Sequence, residues 1–152
     1  MRALVIYDSG FGNTAKIARV IGETLDARLV KARDVMPSDL EQCDLVIVGS
    51  PTQGGRPTSE AMEFVDLLPE GALQNKNTAA FDTRLEASKQ SWWLRRLIGL
   101  IGYAAPKIAR SLKAKGGRVL GVPAGFIVDG EDGPLHEGEL QRAADWARHI
   151  MA

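Results

Sequence analysis

The sequence predicts an α/β fold, a parallel sheet with helices packed on both faces. Three observations carry it. Residues 3–7 ("ALVIY") and most of 44–50 ("DLVIVGS") are apolar runs, the pattern of strands buried on both sides. Each run ends in a turn rich in glycine, proline and small polar residues. Behind each turn the apolar residues recur at i, i+3, i+4 and i+7, which is one face of a helix. Strands that alternate with helices in this way imply crossover connections and a parallel sheet.

The elements follow in order. The first strand feeds "YDSGFGNT", residues 7–14, a turn with two glycines. Thr14, Ile17, Ala18, Ile21 and Leu25 then form one helical face. A short strand is expected at residues 28–31, and "PSDLEQC" is a short capped turn of helix at most. "DLVIVGS" is the second strongly buried strand and ends in "SPTQGGRPT". Ala61, Phe64, Val65 and Leu68 mark the next helix, with Thr58 or Ser59 as its cap. "NTAAFDT" reads as a fourth strand, followed by a segment spanning residues 85–103. "APKIARSLKAKGG" is a helix closed by glycine. "RVLGVPAGFIV" is a fifth strand interrupted by Pro123 and Gly125. "GELQRAADWARHI" is the last helix, with Leu140, Ala143, Ala144 and Ala147 expected to face inward.

Composition sets bounds on function. A chain of 152 residues is expected to form one domain, residues 1–152, and to bury roughly 68–70% of its unfolded surface. The charged residues balance, 19 basic against 19 acidic, so a global footprint for nucleic acid is missing. The single Cys43 excludes an internal disulfide and reads as a small buried filler. His136 and His149 lack the spacing of metal ligands. "MRALVIY" is too short an apolar opening for a signal peptide, and no run reaches membrane-spanning length. A cytoplasmic location is the expectation.

Three turns stand at expected strand ends: "DSGFGNT", "SPTQGGRPT" and "DTRL". In open parallel sheets ligands bind at the carboxyl ends of the strands. The first turn opens a helix, whose unpaired N–H groups and partial positive charge suit a phosphate. Ser9, Asn13 and Thr14 add side-chain donors there, although Asn13 or Thr14 as a simple helix cap is the competing reading. The spacing is neither the Walker pattern nor G-x-G-x-x-G. A flat group is expected between the second and third turns.

These turns resemble those of the flavodoxin-like family, and the resemblance covers nearly the whole chain. The family's phosphate loop runs Ser/Thr-x-Thr-Gly-x-Thr, and "SGFGNT" matches it at Ser9, Gly12, Asn13 and Thr14, with Gly10 and Phe11 between. Pro51, Thr52, Gln53 and Gly54 match the first flavin-contacting loop, and Asp82, Thr83 and Arg84 fall where the second begins. The resemblance implies a five-stranded sheet of order 2-1-3-4-5, a doubly wound sandwich with FMN at the switch point. Flavodoxin itself is a standard example of that switch-point rule. The tail "GPLHEGELQRAADWA" is similar to those of small prokaryotic flavodoxin-family proteins.

Two departures from the family pattern matter. Phe11 stands where a threonine is usual, as in the flavodoxin domains of some diiron flavoproteins. Neither flavin loop carries the aromatic residues that sandwich the ring in electron-transfer flavodoxins. Trp92, Trp93 or Tyr103 supplies one, or else buries its own segment.

With FMN bound the cofactor supplies the redox chemistry, and no catalytic side chain is needed. Backbone N–H groups of Gln53–Gly55 and Thr83–Leu85 are the natural donors to the reduced ring. Arg84 is the one cation placed to join them, unless it is a surface arginine paired with Asp82 or Glu86. Electron-carrier flavodoxins tend to be acidic, and this chain is neutral. The resemblance therefore implies either an electron carrier with its redox partner protein or a reductase of a small acceptor such as a quinone. A redox-silent binding module on the same fold is the alternative. A phosphoacceptor receiver shares the architecture, but Pro123-Ala124-Gly125 offers no lysine after the last strand.

One segment stands apart from these assignments. "SWWLRRLIGLIGY", residues 91–103, carries Trp92, Trp93, Leu94, Leu97, Ile98, Leu100 and Ile101, too apolar for a solvated loop and too short for a membrane span. Gly99 and Gly102 mark bends in it. It packs on its own sheet, covers the flavin, or buries against a second copy or partner. Lys89, Arg95, Arg96 and Arg84 are too few cations to favour a membrane surface.

Overall fold

The structure, a computed structural model, describes residues 1–86, 91–93, 95–96, 102–130 and 132–152. Along the chain run β1 (Ala3–Tyr7), α1 (Asn13–Leu25), β2 (Arg28–Lys31), α2 (Pro37–Glu41), β3 (Leu45–Pro51) and α3 (Ser59–Asp66). Then come β4 (Asn77–Leu85), α4 (Ala104–Ala114), β5 (Arg118–Val119), β6 (Ala124–Val128) and α5 (Glu139–Met151). The sheet order is β2-β1-β3-β4-β5, the expected 2-1-3-4-5, and β6 also pairs with β4. The strand pairings are parallel, with Val5 beside Ile47 and Val48 beside Ala80.

Alternation along the strands divides the core into two layers. Leu4, Ile6, Val46 and Val48 pack with Val65 of α3 and Ile108 and Leu112 of α4. Val5, Ile47 and Phe81 point the other way, onto Ile17 and Ile21 of α1 and Ala143 and Ala147 of α5. Strands buried on both faces need apolar residues at every position, which is why β1 and β3 show no polar alternation. Cys43 is buried, as expected of a filler, and its Sγ donates to the Leu40 carbonyl. Burial pushes its thiol pKa up.

Three expectations change. The fifth strand is two strands on one line. β5 pairs with β4 at Asn77 and Thr78, and β6 rejoins β4 from Phe81 to Leu85. Between them Gly121 turns with φ +63° and Pro123 has no N–H to donate. Leu140 is 45% exposed rather than inward. Its neighbour Glu139 takes the buried position, because its carboxylate accepts from the Ile127 N–H at 2.6 Å and pairs with Arg142. β4 continues through Leu85, two residues past the expected end at Thr83, so Arg84 and Leu85 are strand residues along with Asp82 and Thr83 rather than a turn. Two partners hold them extended, β3 at Pro51 and β6 from Ala124 onward.

Candidate functional site

The carboxyl ends of β1, β3 and β4 meet around a pocket of about 550 Å³. Ser9, Gly10, Phe11, Asn13, Thr14, Pro51, Thr52, Gln53, Gly54, Thr83 and Arg84 line it, joined by Leu85 and Val128. Of the expected site residues, Gly12 and Asp82 do not line it. Gly12 supplies the turn behind the wall, and Asp82 lies beneath Arg84. A larger groove of about 800 Å³ runs between α2 and α3, away from these strand ends, with mostly apolar walls.

At the β1–α1 end the turn is organised by Ser9. Its Oγ accepts from the N–H groups of Gly12 at 3.1 Å and Ala15 at 3.3 Å. This capping role falls to Ser9, not to Asn13 or Thr14. Gly12 at the helix start has φ +91°, a conformation that a side chain would strain. The N–H groups of Asn13 and Thr14 make no hydrogen bond among the described residues. They are the orphan donors of a helix start, and they open toward the pocket. The Ser9 hydroxyl accepts twice and keeps its own proton to donate.

The Thr14 and Thr83 hydroxyls lie 2.8 Å apart, both buried, linking α1 to β4. One hydrogen bond uses one of their two protons, so the pair still holds a donor. Asn13 is 6% exposed and lines the pocket, yet its carboxamide makes no hydrogen bond among the described residues. The carboxamide atoms are not sealed from solvent, so their hydrogen-bonding capacity stays available to a polar guest.

The second turn is a tight hairpin. The Gln53 N–H donates to the Arg56 carbonyl at 2.8 Å, and Arg56 returns the bond at 3.0 Å. The expected Gln53 N–H donor is therefore spent on the turn, leaving those of Gly54 and Gly55 at the tip. Gly54 and Gly55 both have positive φ, as such a turn requires. Lys107 of α4 donates to the Gly55 carbonyl and anchors the tip. Ser50 and Thr58 staple its base. The Thr58 N–H donates to Ser50 Oγ at 2.9 Å, and the Thr58 hydroxyl caps α3 at Ala61.

The third strand end is organised by charge. Asp82 is 0% exposed, and its carboxylate accepts from Arg84 Nε at 2.6 Å and Nη2 at 2.7 Å. The same carboxylate accepts from the Ala105 N–H at 2.8 Å. Thr52 Oγ1 accepts from the Ala104 N–H at 3.0 Å, so two pocket elements together cap α4. The Arg84 guanidinium stacks 3.6 Å from the centre of the Tyr103 ring. Gly125 leaves it room, since a Cβ there would sit 2.1 Å from Arg84 Cζ. Arg84 thus pairs with Asp82, but as a clamped, mostly buried side chain and not a surface one.

Lys107, Gly125 and Val128 were not expected at the site. Lys107 and Gly125 could not have been found from spacing, because tertiary packing alone brings them to the strand ends. Trp92 and Trp93 are 66% and 58% exposed. Within their segment Leu94 and residues 97–101 lie outside the described residues, as does Lys89.

A strand-turn-helix unit facing a hairpin across the ends of a 2-1-3-4-5 sheet is the arrangement of the flavodoxin-like fold. Residues 4–124 match the family described as flavodoxin domain, and the chain belongs to that family. An uncharacterized protein of Methanocaldococcus jannaschii is 26% identical over 152 residues, covering 99% of both chains. Among solved structures, a flavodoxin from the domain Archaea is similar across 100% of both chains, at 22% identity and TM-score 0.75. A WrbA-like flavodoxin protein of Agrobacterium tumefaciens matches 99% of this chain and 95% of its own, at 22% identity and TM-score 0.73. Rubredoxin oxygen:oxidoreductase of Desulfovibrio gigas matches 98% of this chain over 35% of its own, at 21% identity and TM-score 0.73. At these identities the likeness is one of fold. Among the described residues no helix is long and apolar enough to cross a membrane.

Proposed function

We propose that the protein is a single flavodoxin-like domain that binds FMN and works as a redox protein. The observation that carries this is the Asn13 carboxamide, which lines the pocket and makes no hydrogen bond among the described residues, beside the orphan N–H groups of Asn13 and Thr14. With the spare protons of Ser9 and the Thr14–Thr83 pair, these donors fit a terminal phosphate without any cationic side chain. When bound, FMN supplies the one- and two-electron chemistry. Thr52, Gln53 and Gly54 on one side and Thr83, Arg84 and Leu85 on the other then hold the ring and exclude water. Arg84, held in place by Asp82, biases that end of the pocket toward negative charge on its guest.

The balanced surface charge gives no strong attraction to a basic docking partner. It fits reduction of a small acceptor such as a quinone, or a carrier role toward a weakly charged redox protein. A nucleic-acid partner is not part of the reading, and a cytoplasmic location is. The test is the absorbance spectrum of protein purified from cells, followed by titration of the flavin-free form with FMN. Flavin absorption bands, or micromolar or tighter uptake of FMN, are expected. A colourless protein that takes up no FMN is the redox-silent module instead.

A further inference from the structure

The connection from β6 to α5, residues 129–138, has no role in the site described so far. It folds back along the outer edge of β6. The Asp129 N–H donates to the Pro134 carbonyl at 2.8 Å, and the His136 N–H to the Ile127 carbonyl at 2.8 Å. Glu139 takes the Ile127 N–H, so the edge of β6 is covered by its own chain. The fold-back carries Gly133 across to α1. There a Cβ on Gly133 would lie 2.7 Å from Asn13 Nδ2 and 3.0 Å from Oδ1. Val128, at the root of the connection, lines the pocket itself.

Asn13 is the amide of the proposed phosphate cradle that makes no hydrogen bond among the described residues. The backbone at Gly133 lies so close to this carboxamide that an added methyl group would collide with it, which limits its movement on that side. We infer that Gly133 is a positioning residue for the phosphate end. By lying against Asn13 it aims the carboxamide at the guest, and so makes the pocket discriminate a phosphorylated flavin from the same flavin without its phosphate. The inference rests on the FMN reading and adds a second wall to the cradle, from a part of the chain more than a hundred residues away.

Flavin-free wild type, Gly133→Ala, Asn13→Ala, Asn13→Gln and the double variant Asn13→Ala with Gly133→Ala are titrated with FMN and with riboflavin by fluorescence quenching. Thermal unfolding is followed on the same samples. Gly133 has φ +103°, so alanine there lowers stability whatever its effect on Asn13. The affinity ratio of FMN to riboflavin is insensitive to that loss.

Gly133→Ala is expected to reduce FMN affinity by about tenfold, the loss of one hydrogen bond to a charged group, and riboflavin affinity by less than about twofold. The double variant should match Asn13→Ala alone in that ratio. Asn13→Gln keeps the amide but outgrows the space against Gly133, so it should lose the preference as well. It serves if Gly133→Ala does not fold. Equal losses for both flavins, or an unchanged ratio in Asn13→Gln, would overturn the inference while leaving FMN binding intact. A wild type that binds neither flavin would remove the FMN reading, and the inference with it.

Discussion

At the phosphate end of the pocket every polar group is neutral. Backbone N–H groups, the Asn13 amide and three hydroxyls do the work there. At the ring end the organising group is an ion pair, Asp82 and Arg84, with the carboxylate wholly buried. The first end keeps donors without protein partners, as the proposed anion site requires. The second end is already charge-balanced, and its donors are mostly used up inside the protein. Groups kept for a ligand are costly to the empty fold, and groups paired internally support it. Substitutions at the two ends should therefore separate binding from stability.

The largest effect is expected at Asp82. Asp82→Ala leaves the Arg84 charge and the Ala105 N–H without their carboxylate. Breaking a buried pair from one side costs about 3–5 kcal/mol. Urea unfolding of the flavin-free protein should show it, and a loss under about 1 kcal/mol would mean that water reaches the pair. Thr14→Ala comes next, with its effect on binding. FMN affinity should fall by about 1.5–3 kcal/mol, the worth of a hydrogen bond to a charged group, with a smaller change in stability. Isothermal titration and unfolding on one preparation compare the two. A stability loss exceeding the binding loss would make the Thr14–Thr83 contact structural.

Arg84→Ala sharpens the comparison at the ring end. Removing the cation exposes the guest to the Asp82 carboxylate and should lower the flavin's reduction potential. One charge at roughly 4–8 Å and an effective dielectric near 20 is worth about 2–4 kcal/mol, less where water screens it. Adding Asp82→Asn should return the potential toward that of wild type. Identical potentials in wild type and Arg84→Ala would place the ring beyond the pair's reach.

The smallest effect belongs to Glu139, which steadies the connection behind the phosphate end. Burial pushes its carboxyl up, but the Arg142 guanidinium and the Ile127 N–H outweigh that and hold it below the usual range. A carboxyl lowered on folding contributes stability above its unfolded pKa and loses it as the pH falls through the folded value. Wild type should therefore lose stability in that acid range. Glu139→Gln should be less stable at neutral pH, by about 1 kcal/mol or less given the half-exposed Arg142, and flatter in acid. Parallel unfolding curves against pH for the two proteins would remove this role.

The sequence by itself determined the local units. Continuous apolar runs can only be strands covered on both faces, so β1, β3 and the parallel sheet were legible. The change of period after "SGFGNT" placed the start of α1 within a residue. Motif likeness brought Ser9, Asn13, Thr14 and the 51–54 turn to one site. What spacing cannot carry is which distant groups satisfy one another. Arg84 reads as part of a turn, because nothing local shows that β6 extends β4 through Leu85. Leu140 fits an apolar face by period, but a strand-edge N–H at Ile127 drew Glu139 inward in its place. The Thr52 and Asp82 bonds to α4, and Gly133 against Asn13, join residues far apart in the chain. Only the tertiary structure decided these, because a buried donor takes whichever acceptor the packed fold sets beside it.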